Sequence, residues 1–130
     1  MKLEPIGVIH SPYKNIEDAP RQGKTEDTSR IEIFETYKEG LKDVKAWKHL
    51  IILYWLGKAK RDTLLTLSPF DSKIHGVFAV RSPHRPNPIG LAVVDLIDIK
   101  DNILEVSGMD AVDGTEVIDI KPYYAKIDGR

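Results

Sequence analysis

A chain of 130 residues, 42% hydrophobic and 30% charged, is long enough to bury a core of its own and reads as one domain spanning 1–130. No apolar run approaches the roughly 18 residues of a membrane helix, and Met1-Lys2-Leu3-Glu4-Pro5 opens without the apolar stretch of a secretory leader, so a soluble cytoplasmic protein is expected. The absence of cysteine excludes disulfides, zinc–thiolate sites and thiol nucleophiles, and a net charge of −1 leaves a nucleic-acid partner only locally concentrated positive charge to bind.

In chain order, Ile6-Gly7-Val8-Ile9 is a short β-branched run that predicts a strand ending at Ser11-Pro12. Lys14 to Ser29 has hardly an apolar residue and reads as a long loop around Pro20-Arg21-Gln22-Gly23. Arg30-Ile31-Glu32-Ile33 alternates polar with apolar, the pattern of a half-buried strand. Tyr37 to Val44 is expected to be a turn or short helix. Leu50-Ile51-Ile52-Leu53-Tyr54-Trp55-Leu56 is apolar on both faces, and its β-branched and aromatic content predicts a central strand buried from two sides. Thr63-Leu64-Leu65-Thr66-Leu67 alternates again before Ser68-Pro69 breaks it, and the apolar run Gly76-Val77-Phe78-Ala79-Val80 predicts a buried strand leading into Arg81. Ile89 to Ile99 and Ile103 to Met109 flank Lys100-Asp101-Asn102 and predict a hairpin. A sharp turn is expected over Asp110-Ala111-Val112-Asp113-Gly114-Thr115, then a last strand, Val117-Ile118-Asp119-Ile120, ahead of Pro122.

Six to eight short strands and at most one or two short helices define an all-β domain, a small closed or nearly closed β-barrel with long loops. There is no G-x-G-x-x-G after a strand, which excludes a Rossmann nucleotide site.

The densest chemistry lies between Phe78 and Leu91. Pro83, Pro86 and Pro88 fix φ and remove backbone donors, so neither a helix nor a paired strand can run through this stretch. The stiff loop carries Arg81, Ser82, His84, Arg85 and Asn87, a varied set of donors and acceptors suited to mounting a binding site. Lys58, Lys60 and Arg61 form one basic cluster, and Lys73, His75, Arg81, His84 and Arg85 bracket the loop with another. If the two converge, they can hold phosphates or a carboxylate.

Read with Pro5-Ile6-Gly7-Val8-Ile9-His10-Ser11-Pro12-Tyr13-Lys14, Pro20-Arg21-Gln22, Asp110 to Thr115 and Asp119-Ile120-Lys121-Pro122-Tyr123, this loop resembles the signature of the TsaA-like (YaeB-like) family, and the resemblance covers essentially the whole chain. It implies a dimeric β-barrel of the TrmO type, a short form without the carboxy-terminal domain, methylating N6 of threonylcarbamoyladenosine at position 37 of tRNA with S-adenosylmethionine. Carried over residue by residue, the cofactor contacts are Pro20, Arg21 and Gln22, then Gly57 and Lys58, then Arg81 and Leu91, then Asp110, Ala111, Val112 and Asp113. Arg85, Asn87 and Lys121 remain for the acceptor side. Two positions depart from the family pattern: Gly57 stands where a histidine often follows the aromatic strand, and Val80 where threonine is common.

Transfer from a sulfonium needs orientation and desolvation more than a metal or a covalent nucleophile, and no metal site is expected. No single catalytic residue is assigned. Asp113 and Tyr123 are both open as proton acceptors, and Asp113 is equally suited to stabilising its own turn. The competing reading is a barrel that binds S-adenosylmethionine or a nucleotide without catalysis.

Overall fold

Among the residues described by the computed structural model, 1–19 and 27–129, eight strands alternate with loops and 3₁₀ turns. They are β1 (Gly7–His10), β2 (Thr28–Ile33), β3 (His49–Trp55), β4 (Leu65–Leu67), β5 (Ile74–Gly76), β6 (Ile89–Lys100), β7 (Ile103–Ser107) and β8 (Glu116–Pro122). Six of them close an antiparallel barrel in the order β1-β2-β7-β6-β3-β8, and β4 and β5 pair only with each other. The expected all-β barrel is therefore what forms. A single turn of α-helix, α1 (Ala125–Asp128), follows the last strand.

Alternation explains the closure, because every second side chain of each barrel strand points inward. Ile9, Ile31, Ile33, Leu50, Ile52, Val94, Leu104, Val106 and Val117 are all but fully buried and form one cluster inside the barrel. Strand β3 is not buried from two sides as its composition predicts: Leu50, Ile52 and Tyr54 point in, while Ile51, Leu53 and Trp55 are only half-covered on the outer face. Pro122 does not stop β8 early, since a final strand residue can lack its donor.

The hairpin at Lys100-Asp101-Asn102 forms as expected, with Asp101 at φ 53° in the left-handed region. Asn102 fixes β2 beside it: its side-chain amide donates to the Ile33 carbonyl at 2.8 Å, and its own carbonyl accepts the Ile33 N–H at 2.9 Å.

The antiparallel order sorts the connections by end. At one end, residues 34–48 cross from β2 to β3 in two 3₁₀ turns, Glu35–Leu41 and Val44–Ala46, and pack Tyr37, Leu41, Val44 and Trp47 against the core. The connections between β1 and β2, β3 and β6, and β7 and β8 all leave from the other end. The segment Gly76–Val80 departs from expectation: only Gly76 belongs to a strand, and Val77–Ala79 is a 3₁₀ turn with Val77 buried and Phe78 84% exposed. The cause lies five to eight residues downstream. The guanidinium of Arg85 donates to the carbonyls of Val77 and Val80, the latter at 2.9 Å, and occupies acceptors that a sheet neighbour would otherwise take.

Candidate functional site

The site is the loop-bearing end of the barrel, and the proline loop is its most constrained wall. Arg61 donates through Nε to the Pro86 carbonyl at 2.8 Å and through a terminal nitrogen to Asn87 Oδ1 at 3.0 Å, with its guanidinium 5.3 Å from the Trp55 ring centre. The Lys60 N–H donates to His84 Nδ1 at 2.9 Å, and the Arg85 N–H to the Lys60 carbonyl at 3.1 Å. Lys60 and Arg61 of the first basic cluster thus meet His84 and Arg85 of the second, but Arg61, His84 and the Arg85 backbone N–H serve to stitch residues 60–61 to residues 84–87, and the Arg85 guanidinium ties the loop back to Val77 and Val80.

The second wall is the turn after β7. Gly114 sits at φ +87°, a conformation other residues adopt only with strain, and it reverses the chain toward β8. The Ala111 carbonyl accepts from Ser11 Oγ at 2.8 Å, and the Val112 carbonyl from Thr115 Oγ1 at 2.6 Å. Asp113 is fully engaged: Oδ1 accepts the Ser11 N–H at 3.0 Å and Oδ2 the Lys14 ammonium at 2.9 Å. These bonds, Lys14's first, hold its carboxyl below the ordinary carboxylate range. Such a group is a weak base, and its position fits the turn-stabilising role.

Asp110 differs. Its Oδ1 accepts the Tyr54 hydroxyl at 2.5 Å, and no basic side chain bonds it among the described residues. Burial raises its pKa, and the Tyr54 bond acts in the opposite direction. Burial and the neighbouring carboxylate push the Tyr54 phenol far above its usual range, so it remains a donor at any physiological pH. Tyr54 is 5% exposed and faces its cross-strand partner Gly90, where a Cβ would stand 2.3 Å from the tyrosine ring. A register shift between Leu53 and Tyr54 against β8 lies beside this contact, and such bulges re-aim side chains.

The remaining candidates divide between the ends of the barrel. Gly57, Lys58 and Arg81 lie at the loop end and are exposed, and Leu91 is 46% exposed on the outer face, paired with Leu53. Pro20, Arg21 and Gln22 lie outside the described residues. Lys121 pairs with Ile51, and Tyr123 donates its N–H to the His49 carbonyl, so both sit toward the opposite end, with Lys121 bound to Asp119 at 3.0 Å. The four strand steps from Ile51 to Trp55 alone put about 13 Å between the two groups. Sequence reasoning missed Tyr54, Lys14 and the structural task of Arg61, because the partners of each lie far away along the chain and meet only through the barrel register and the loop contacts.

An opening of about 420 Å³ at this end is lined by His10, Ser11, Pro12, Lys14, Thr28, Arg30, Glu105 and Asp113. His10 and Glu32 pair at 2.9 Å beside it. No cluster of three or more potential metal ligands occurs among the described residues. Nor is any helix among them long and apolar enough to cross a membrane.

A closed six-stranded barrel carrying three of its connections, those between β1 and β2, β3 and β6, and β7 and β8, at one end is a small β-barrel domain, and among the described residues that end presents Asp110, whose partner is a tyrosine hydroxyl and not a base. The chain belongs to the tRNA-methyltransferase O N-terminal domain family, which matches residues 8–129. It is 56% identical over 129 residues to a probable S-adenosyl-L-methionine-binding protein of Archaeoglobus fulgidus, covering 98% of this chain and 35% of that protein. It is 37% identical over 134 residues to the tRNA (adenine(37)-N6)-methyltransferase of Escherichia coli, covering 94% of this chain and 57% of the enzyme. The crystal structure of TrmO from Pseudomonas aeruginosa superimposes with a TM-score of 0.86 at 32% identity, covering all of this chain and 58% of that one. The chain thus spans from about a third to just over half of these relatives.

Proposed function

We propose that this chain is an S-adenosylmethionine-dependent tRNA methyltransferase whose acceptor is N6 of threonylcarbamoyladenosine at position 37, working as a cytoplasmic homodimer. The observation that carries the reading is Asp110: a half-buried carboxylate without a basic partner among the described residues stands at the end that bears the β1–β2, β3–β6 and β7–β8 connections, and it suits a cationic ligand. Family membership and the relatives named for S-adenosylmethionine binding and tRNA methylation support it. When bound, the donor supplies an electrophilic methyl group on a sulfonium.

The chain's own residues bind and orient. Asp110 faces the cation, Arg81 suits the donor's carboxylate, and backbone groups at Gly57, Ala111 and Val112 suit its base and ribose. Leu91 offers apolar contact, and Pro20, Arg21 and Gln22 belong to the same proposed set. Exposed Lys58, Lys60 and Lys73 lie in the connection from this end and suit tRNA phosphates. Arg85 and Asn87 act here by holding the loop, and Lys121 is better placed for a contact at the far end.

The homodimer rests on the outer face of β8, β3 and β6. There Ile51, Leu53, Trp55, Ile89, Leu91 and Val93 form an apolar patch in cross-strand register, rimmed by the Asp119–Lys121 and His49–Asp95 pairs. A patch of this kind suits a second copy of the chain.

One observation favours the competing reading of a binding module: Asp113 is tied up and Tyr123 lies at the other end, so neither is presented as a base. The test is incubation with methyl-labelled S-adenosylmethionine and tRNA from cells lacking the modification, followed by nucleoside digestion. Label in a modified adenosine supports the enzyme. Binding without label supports the module.

A further inference from the structure

We propose that Tyr54 is a positioning residue for Asp110: its ring lies over Gly90, which brings its hydroxyl to Asp110 Oδ1 and holds that carboxylate at the loop end, ready for a cationic ligand. The inference rests on reading this end as the site of the sulfonium donor.

Three features of the contact carry it. Tyr54 is 5% exposed and stands on the rigid barrel strand β3, so the anchor does not move with the loops. Its ring occupies the space a side chain at position 90 would need, with a Cβ there 2.3, 2.5 and 2.8 Å from three ring atoms, so the glycine is what allows the tyrosine to reach position 110. The bond is 2.5 Å long and joins residues 56 apart in the sequence, tying the loop after β7 to β3.

The surroundings give the pairing a purpose. On the same loop, Asp113 has its carboxylate turned to Ser11 and Lys14; on β6, Gly90 has no side chain; on β3, Tyr54 is a donor only. Among the described residues nothing basic neutralises Asp110. A hydroxyl that donates to a carboxylate favours its ionised form without cancelling the charge, as a lysine or arginine would. The carboxylate is thereby oriented, and its charge, which burial disfavours and the Tyr54 bond favours, is left uncancelled for a positive ligand.

The test uses Tyr54→Phe, which keeps the ring on Gly90, together with Asp110→Asn and the double variant. Calorimetry measures S-adenosylmethionine and its neutral thioether product, S-adenosylhomocysteine, across a pH series. Tyr54→Phe is expected to weaken S-adenosylmethionine about tenfold, the thioether by less than about twofold, and to add nothing in the Asp110→Asn background. In the ligand-free proteins, carbon NMR of the Asp110 carboxyl should show its titration midpoint moving up in Tyr54→Phe, since a bond that favours the ionised form is lost. Equal weakening of both ligands, unchanged affinity, or full additivity in the double variant overturns the inference while leaving the donor reading intact. A wild-type protein that binds neither ligand overturns the donor reading, and an unmoved Asp110 midpoint then overturns the positioning role as well.

Discussion

The guanidinium of Arg61 lies 5.3 Å over the Trp55 ring and at the same time bonds Pro86 and Asn87, so one side chain clamps the proline loop onto the end of a barrel strand. A cation over an aromatic face and two directed bonds are together worth on the order of 1–2 kcal/mol. Arg61→Ala should lower the urea midpoint by a corresponding amount and weaken S-adenosylmethionine binding. Arg61→Lys should recover little of either, because an ammonium cannot reproduce the forked pair of bonds. Full recovery by lysine would reduce Arg61 to a point charge.

Gly90→Ala places a methyl group inside the Tyr54 ring. Buried on a barrel strand, the tyrosine has little room to yield, and overpacking of this kind costs about 1–3 kcal/mol. Denaturant unfolding is expected to show that loss. Adding Tyr54→Ala should reverse part of the clash, which two independent defects would not do.

Acid should weaken the contacts of Asp113. Its folded pKa is depressed by Lys14 and the Ser11 N–H, so its contribution is fully present above the unfolded value of about 3.9 and is lost as pH falls through the folded value. Asp113→Asn should therefore flatten the dependence of stability on pH below about pH 4 and leave the slope between pH 6 and 8 unchanged. Thermal unfolding followed across that range measures it.

Binding of tRNA, if carried by Lys58, Lys60 and Lys73, should weaken steeply with salt, by a log–log slope of about −0.7 to −0.9 per phosphate neutralised. Lys58→Glu with Lys73→Glu is a cleaner test than any change at Arg61, since charge reversal there would also unfasten the proline loop. Filter binding at two salt concentrations should show weaker and flatter binding for the double variant. Salt-independent binding in both proteins would turn attention to a small acceptor.

Val93→Asp puts a charge on the outer apolar face, where Val93 is 45% exposed and pairs with Ile51. Light scattering should find the wild type at twice the chain mass and the variant at the single-chain mass, both still folded by circular dichroism. A wild type already at the single-chain mass would remove the dimer.

The barrel was legible because it rests on local alternation: Arg30 to Ile33 and Ile103 to Val106 show their inward face in four residues. The gathering of the proline loop and the Asp110 turn at one end followed from resemblance, and the antiparallel order supplies its physical reason. Gly76 to Val80 was misread because its apolar run suits a strand, whereas its shape is decided by Arg85 capping carbonyls from outside the window. The Tyr54–Asp110 pair was invisible for a different reason: 56 residues separate the partners, and only the β3–β6 register lays the ring on Gly90. Lys121 and Tyr123, near in sequence to the Asp110 turn, are carried the length of β8 away from it.

Strands β4 and β5, three residues each, pair only with one another, and Leu65, Leu67 and Ile74 are each more than 60% exposed. A ladder so short is only marginally stable in isolation. Its hydrogen bonds can therefore break and re-form without unzipping the barrel, so deuterium should enter the amides of Leu65–Leu67 and Ile74–Gly76 through local opening that hardly depends on denaturant. The amides of Ile52 and Leu104, locked between neighbours in the closed barrel, should exchange only when the whole domain unfolds.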